Sequence, residues 1–371
     1  MHTEEHLNTL ALTRIPGLGL SSTHNLLNSL GSATTIFENR KDLQSIVPGI
    51  SGKLINALDC PEAFKRAEAE LEFAEKNQIK VLTFCDEDYP SRLRECDDAP
   101  IALYYRGNAD LNALRIINMV GTRKATAYGQ DICQQFLKDL ASYCPDVVVV
   151  SGLAYGIDIH AHRNALINGL DTVGVLAHGL DRIYPATHRK TAVEMLNQGG
   201  LLTEFMSNTN PDRQNFVRRN RIVAGISDAT IVIESASKGG ALITAELAES
   251  YHRDCFAFPG RIHDEYSIGC NRLIQTNRAA LITSAQDFVE AMGWQTSSVA
   301  PKAIQRELFP NLTEEEELIV NILKKSQDGM QINTLVVEAN IAINRMSAIL
   351  FELEMKGVIR TMAGGVYRLI R

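Results

Sequence analysis

The chain has 371 residues, 45% of them hydrophobic and 22% charged, with a formal net charge of -7. That length suggests two or three domains, and the apolar runs are too short to cross a bilayer. The acidic balance excludes a protein that coats nucleic acid over its whole surface, but it leaves room for a local positive groove. The N-terminus "MHTEEHLNTLALTRIPG" carries early acids and lacks a basic region ahead of an apolar block, so no export signal is expected. Seven cysteines are scattered without a C-x-x-C or a neighbouring histidine pair. This pattern predicts neither zinc nor disulfides and fits a reduced cytoplasm.

Residues 1–62 read as short helices broken by "RIPGLG" and "IVPGIS", a pair of helix-hairpin-helix units in a SAM-like helical domain. The turn amides of such units can hold a DNA phosphate without reading sequence. They can equally serve as plain connections in a small bundle, and Lys and Arg are sparse there. Residues 63–294 alternate helix and strand. After the helical "AFKRAEAELEFAEKN" come "IKVLTF", "RIINMVG", "DVVVVSG", "DTVGVLA", "GLLTEF", "ATIVIES", "DCFAFPG" and "AALITS". Helical spacing fills Tyr128 to Ser142 and Ile157 to Asn168. Strands apolar throughout and joined by helices predict a Rossmann-like, doubly wound, mostly parallel α/β sheet covered on both faces.

Residues 295–311 read as a polar, proline-flanked linker. In residues 312–371, Thr313 is the expected N-cap of a helix with Glu314 to Glu317 in its first turn. Two more helices and a hairpin turning on Gly364–Gly365 complete a winged-helix pattern. From Asn311 to Arg371 there are seven Lys/Arg against eight Asp/Glu, and the presumed recognition helix offers only Arg345 and Lys356. Too few cations are present for strong phosphate binding, so a protein-contact or accessory role is expected.

Ligands of doubly wound sheets bind beyond the carboxyl ends of the strands, so each strand–loop motif is read there. In "NMVGTRKATAYG", Gly121 allows a tight turn, while Thr122 and Arg123 stand at a helix mouth where amides and a guanidinium attract phosphate. No G-x-G-x-x-G occurs, so a dinucleotide site is not supported and no cofactor is expected. In "SGLAYGIDIHAHRNAL", Ser151 and Gly152 end a strand and Gly156 opens a helix bearing Asp158, His160 and His162. The G-x-S-x-G elbow is missing, and histidines two apart lie on different helix faces, so neither catalysis nor a metal is expected. Asp158 reads as a helix-start cap or an orienter of loop backbone.

"DRQNFVRRNRIVAG" gathers Arg213, Arg218, Arg219 and Arg221 around Phe216. Arg218 and Arg221 share one helical face and Arg219 lies about 100° away. Arg213 and Phe216 are expected to precede the helix on an extended segment. Guanidinium groups beside an exposed aromatic suit single-stranded nucleic acid, because cations hold phosphates and the ring stacks on an unpaired base. Asn215 and Asn220 add hydrogen-bonding groups. "SASKGGALITAELAES" places Lys238, Gly239 and Gly240 where a strand end meets a helix start, another anion cradle without a Walker loop. "FPGRIHDEYSIGCNRLI" adds Gly260, Arg261, Gly269 and Asn271. Several such loops at successive strand ends suggest a polyanion lying across the top of the sheet.

The strings "VGTR", "SGLAYGIDIHAH", "GLDRIYPATH", "GGLLTEF", "NFVRRNRIVAGISDATIVIE", "GGALITAELA", "FAFPG" and "SIGCNRLI" resemble, in order and spacing, those of the DNA-processing protein A family (DprA, also called Smf). The likeness covers nearly the whole middle block, and the flanking blocks fit the domain order of longer members. It implies a cytoplasmic, homodimeric, non-enzymatic protein that binds single-stranded DNA in a positive pocket. It further implies protection of incoming DNA and loading of the RecA recombinase in natural transformation. Carried over by position, it marks Arg123, Arg213, Phe216, Arg219, Asn220 and Arg221. Three departures stand out. Val217 replaces the usual Pro after the motif Phe, Gly239-Gly240-Ala241 replaces Ser-Gly-Ser, and the usual Asn four residues after "YP" is missing, with His188 nearby.

Two rival readings compete. "RRNR" with "KGGALITAELAE" loosely resembles nucleoside monophosphate phosphoribohydrolases of the Lonely Guy type, and Glu246 stands seven residues after Gly239 like their catalytic Glu. However, Lys238, Leu242 and Thr244 break that signature. An architectural duplex-DNA binder working through both end blocks is the other, and the low basic content of those ends argues against it.

Overall fold

The computed structural model describes residues 3–47, 49–294, 312–326, 329–362 and 364–370. The chain divides into two units, Met1–Ser297 and Ser298–Arg371. The linker expected at 295–311 lies outside the described residues. Among the described residues, no single helix is long and apolar enough to cross a membrane.

Six helices open the first unit: α1 (Glu4–Leu12), α2 (Leu20–Leu30), α3 (Ala33–Glu38), α4 (Leu43–Ile46), α5 (Gly52–Ala57) and α6 (Pro61–Lys76). Thr3, Ser32 and Ser51 cap α1, α3 and α5 through their hydroxyls, and Pro61 enters the first turn of α6. The turns between α1 and α2 and between α4 and α5 run through Gly17 at φ +80° and Gly49 at φ +85°, the left-handed region that glycine tolerates. No break falls at residue 62. Ala63, Ala67 and Ala74 of α6 share one apolar core with Leu10, Leu26 and Ile36 and with Val81 and Tyr104 of the neighbouring sheet. Burial of those faces fuses the helical block to the sheet edge.

The rest of the unit runs β1 (Lys80–Thr83), α7 (Ser91–Arg94), β2 (Ala102–Gly107), β3 (Ile116–Val120), α8 (Ala127–Tyr143), β4 (Val148–Ser151), α9 (Ile157–Ile167), β5 (Thr172–Val175), a 3-10 turn (Ala186–His188), α10 (Arg189–Met195), β6 (Gly199–Thr203), α11 (Arg213–Gly225), β7 (Ala229–Val232), α12 (Gly240–Ser250), β8 (Asp254–Ala257), α13 (Ile268–Gln275), β9 (Ala280–Leu281) and α14 (Ala285–Ala291). The nine strands form one sheet in the order β1-β2-β6-β5-β4-β3-β7-β8-β9. From β6 to β9 every neighbouring pair is parallel, while β2 pairs antiparallel with both β1 and β6. The sequence reading found every strand except β2. Its "ALYYRG" has the aromatic content of a strand, but it follows a charged segment that holds only the one-turn helix α7. Strands β3, β4, β5, β6 and β7 are buried at every position, as central strands covered on both faces must be. Each fully buried Val, Leu or Ile contributes about 1.5–3 kcal/mol over its exposed state.

The second unit contains α15 (Glu314–Leu323), β10 (Met330–Gln331), α16 (Ile332–Ala339), α17 (Ile343–Met355), β11 (Ile359–Met362) and β12 (Val366–Leu369), with a β10-β12-β11 sheet. Thr313 caps α15 in a reciprocal capping box with Glu316, as its sequence signals. Gly364 and Gly365, at φ +83° and +68°, turn the β11–β12 hairpin. Three helices and this hairpin close a small apolar core of their own, the winged-helix arrangement.

Candidate nucleic-acid interface

Strand β3 lies between β4 and β7, so the chain reverses its direction of sheet growth there. A doubly wound sheet opens its binding crevice at this switch point, beyond the carboxyl ends of the strands. The walls are the loops following β3 (residues 121–126) and β7 (residues 233–239). Asn118 of β3 donates to the Thr230 hydroxyl of β7 at 2.8 Å, pinning the two strands beneath the crevice. Gly121 is required by close approach, since a Cβ there would run into the Ile157 side chain. Gly156, at φ +76°, likewise leaves no room for a side chain beside the Thr122 carbonyl.

The two loops are stitched together, which corrects the expected role of Thr122. Its amide donates to the Glu234 carbonyl at 2.8 Å and its carbonyl accepts from the Ile157 amide at 3.1 Å, so neither backbone group greets a phosphate. Helix α8 starts only at Ala127, capped by Thr126. The buried Glu234 carboxylate accepts from the Thr126 amide and hydroxyl at 2.9 and 2.5 Å, so the positive end of this helix is already answered. Any anion held by this loop is left to the exposed side chains of Arg123 and Lys124.

Helix α11 begins at Arg213, so Arg213 and Phe216 lie in its first turn rather than on an extended lead-in. Its arginines divide by face. Arg218 and Arg221, one turn apart as expected, both grip Glu204 at 2.7 and 2.5 Å, and that carboxylate is only 3% exposed. Burial pushes the Glu204 carboxyl up, against the pull of both arginines. Arg221 is itself buried and also donates to the Asp98 carbonyl. This corrects its placement in the binding set, because its donors are spent inside the protein.

Arg219 points down into the sheet. It donates to the carbonyl of Gly152 at 2.6 Å and to that of Val175. A Cβ on Gly152 would collide with the Arg219 guanidinium, so glycine is required for this insertion. Burial lowers the Arg219 pKa to about 10, with Asp158 working in the opposite direction, and the group stays charged at neutral pH. Asp158 accepts from the Ala154 amide at 3.3 Å, consistent with an orienter of loop backbone, and its carboxyl is raised by burial against the pull of Arg219. The fully buried Ser151 hydroxyl donates to the Met119 carbonyl at 2.6 Å. Ser151, Gly152 and Arg219, expected from their strand-end and motif positions to contact the DNA phosphates, therefore form the floor beneath the crevice instead.

The rim is made by other groups. The half-buried Phe216 ring has the Arg123 guanidinium at 5.1 Å and that of Arg219 at 6.0 Å. Exposed Arg213 stands three residues before it on the same helical face. Across the crevice, Lys238, Gly239 and Gly240 are exposed at the mouth of α12. Asn220 donates weakly to the Gly240 carbonyl at 3.4 Å, tying α11 to α12. A Cβ at Gly239 would meet nothing nearer than 3.5 Å, so a serine fits that position. One rim aromatic escaped the sequence reading. Tyr184 is 47% exposed and meets Phe216 edge-on at 6.0 Å. Its only sequence signal was the aromatic beside Pro185 after β5.

The groups that suggested other chemistry lie elsewhere. Glu246 is exposed and paired with Arg278 at 3.3 Å, and Arg278 precedes β9 at the opposite end of the strands from the crevice. His162 is fully buried against the Thr172 hydroxyl at 2.7 Å. Among the described residues, no group of three or more His, Cys, Asp or Glu is placed to hold a metal. In the winged helix, Arg345 pairs with Glu315 and Lys356 with the buried Glu316, at 2.8 and 2.7 Å.

Residues 80–293 match the family model described as DNA recombination-mediator protein A, and residues 305–365 match a DprA winged-helix domain. The protein Smf of Synechocystis is 30% identical over 99% of this chain and 100% of its own length. Among solved structures, DNA processing protein A of Streptococcus pneumoniae is 31% identical, with a TM-score of 0.61 over 77% of this chain and 97% of that one. A second is DNA processing protein A from Helicobacter pylori, whose structure is described as showing a unique single-stranded DNA binding mode. It is 30% identical, with a TM-score of 0.52 over 58% of this chain and 95% of that one. Motif order, sheet topology and both domain matches converge, and the chain belongs to the DNA recombination-mediator protein A family, that of the DprA and Smf proteins.

Proposed function

We propose that the protein binds single-stranded DNA in the switch-point crevice, protects it, and passes it to the RecA recombinase during transformation or recombination. It works in the cytoplasm as a homodimer and without cleaving its ligand. The observation that carries the reading is the rim itself. A half-exposed ring, Phe216, lies under the exposed side chain of Arg123, with Arg213 on one side and Lys238, Gly239 and Gly240 on the other. Phosphates meet the cations and one unpaired base stacks on the ring, a sequence-tolerant mode because every base has a π-face. Arg123 is held to Phe216 by a cation–π contact of about 0.5–2 kcal/mol, weak enough for an arriving phosphate to recruit it. The binding behaviour described for the Helicobacter pylori relative supports the ligand class.

Titration of the full chain with fluorescent oligo-dT at two salt concentrations tests this. Arg123→Ala should weaken binding and flatten the salt dependence, and Phe216→Ala should weaken it with the slope kept. Unchanged affinity in both variants rejects the crevice. The phosphoribohydrolase alternative predicts free base released from a nucleoside monophosphate. Glu246, paired to Arg278 away from the crevice, stands in the wrong place for it.

A further inference from the structure

Phe216 is not the only ring at the mouth of the crevice, and the neighbouring loop has the build of a second platform. Tyr184 is about half exposed, and its ring centre lies 6.0 Å from that of Phe216 with the planes 62° apart. The loop that carries it is braced from inside the protein. Buried His178 donates from Nδ1 to the Gly179 carbonyl at 2.8 Å, which leaves Nε2 to accept the Tyr184 amide at 3.2 Å. Arg182 donates to the Asn210 side chain at 2.8 Å, and Asp181 accepts the Asn208 amide at 3.0 Å, fastening the loop to the approach of α11. An exposed ring on a fixed backbone loses little entropy when a base stacks on it.

Charge sets the direction. Beyond Tyr184 toward β4 and β5, exposed Arg189 has no carboxylate partner among the described residues. Exposed Tyr155 continues the aromatic surface through an edge contact with His188 at 5.0 Å. On the opposite side, the loop after β8 follows Arg261 with exposed Asp264 and Glu265, which repel phosphate.

We propose that Tyr184 is a second base-stacking platform, and that a single strand bound at Phe216 leaves the crevice over the ends of β5 and β4 rather than over β8. This rests on the single-strand reading above. Because the two rings are inclined, the bases they carry are splayed from one another, so the strand bends between two adjacent stacking positions.

The test uses the full chain and dT12 carrying one abasic residue moved along the strand. Two stacking positions should each cost about 5- to 150-fold in affinity when abasic. In Tyr184→Ala, one of those penalties should vanish while the other stays, and Tyr184→Phe should restore both. A terminal 5-iodouracil should cross-link within residues 178–190 and not within 258–267. A single costly position in the unmodified protein, or cross-links confined to 258–267, overturns this proposal while a loss in Phe216→Ala keeps the crevice reading. No loss in Phe216→Ala, together with no costly abasic position, overturns both. The abasic scan on unmodified protein needs no variant to fold.

Discussion

The crevice rim and the winged helix each display arginine or lysine, and they differ in what those cations already hold. Arg123, Arg213 and Lys238 have no carboxylate partner among the described residues, whereas Arg345 and Lys356 are engaged by Glu315 and Glu316. The same division runs inside α11, where Arg219 and Arg221 are buried and donate to backbone carbonyls, Arg221 also holding Glu204. A cation recruits phosphate only if its present partner is water or a weak contact, so the count of basic residues is a poor guide to where a polyanion binds.

The largest effect should come from the floor. Arg219→Met leaves Asp158 buried without its counter-charge and should cost about 3–5 kcal/mol in urea unfolding. The double variant Arg219→Met/Asp158→Leu should recover much of that loss. If the single variant is as stable as the parent, the distinction between floor and rim fails. Acid should expose the floor in another way. Burial holds the His162 imidazole neutral, with its pKa lowered from 6.5 to about 3. The unfolded chain therefore binds a proton there that the folded one refuses, and stability present above pH 6.5 is lost on descending toward pH 3. The contribution is about 1.4 kcal/mol per pH unit. His162→Asn should flatten the stability–pH curve by about one proton in that window.

The rim should respond in binding rather than stability. Phe216→Ala should cost about 1–3 kcal/mol of oligo-dT affinity with an unchanged salt slope. Arg123→Ala should reduce the slope by about 0.7, the value for one phosphate on a single strand. Neither variant should shift the unfolding midpoint by more than the roughly 0.5 kcal/mol usual for surface changes. The smallest effect should be in the winged helix. Arg345→Ala removes an exposed pair and should leave oligo-dT affinity unaltered and stability within about 1 kcal/mol. A marked loss of affinity there would make the winged helix part of the DNA site and break the comparison.

Much of this architecture was legible in the chain. Eight strands, the helices between them and the Thr313 cap follow from apolar runs, periodicity and capping residues, because these are local consequences of burial and backbone hydrogen bonding. The crevice loops were legible too, since strand-end glycines such as Gly121 and Gly239 mark where a doubly wound sheet opens. The strand β2 was missed because nothing in "IALYYRG" announces a reversal of direction at the sheet edge. The start of α11 was misplaced because Asp212 offers no side-chain cap, and Asn and Pro before it read as extended chain.

What the sequence by itself determined is the sheet, its flanking helices and the residue types gathered near its carboxyl edge. Only the tertiary structure decided which of those residues face solvent. Arg219 and Arg221 stand in the same motif as Phe216, and Ser151 and Gly152 end a strand as Gly121 follows one, yet all four belong to the interior. The reason is that a side chain's fate depends on partners far away in the chain, such as Glu204, Asp98 and the Val175 carbonyl, which no spacing rule reveals. Buried polar groups must be paired wherever the fold brings them, and that pairing separates scaffold from binding surface.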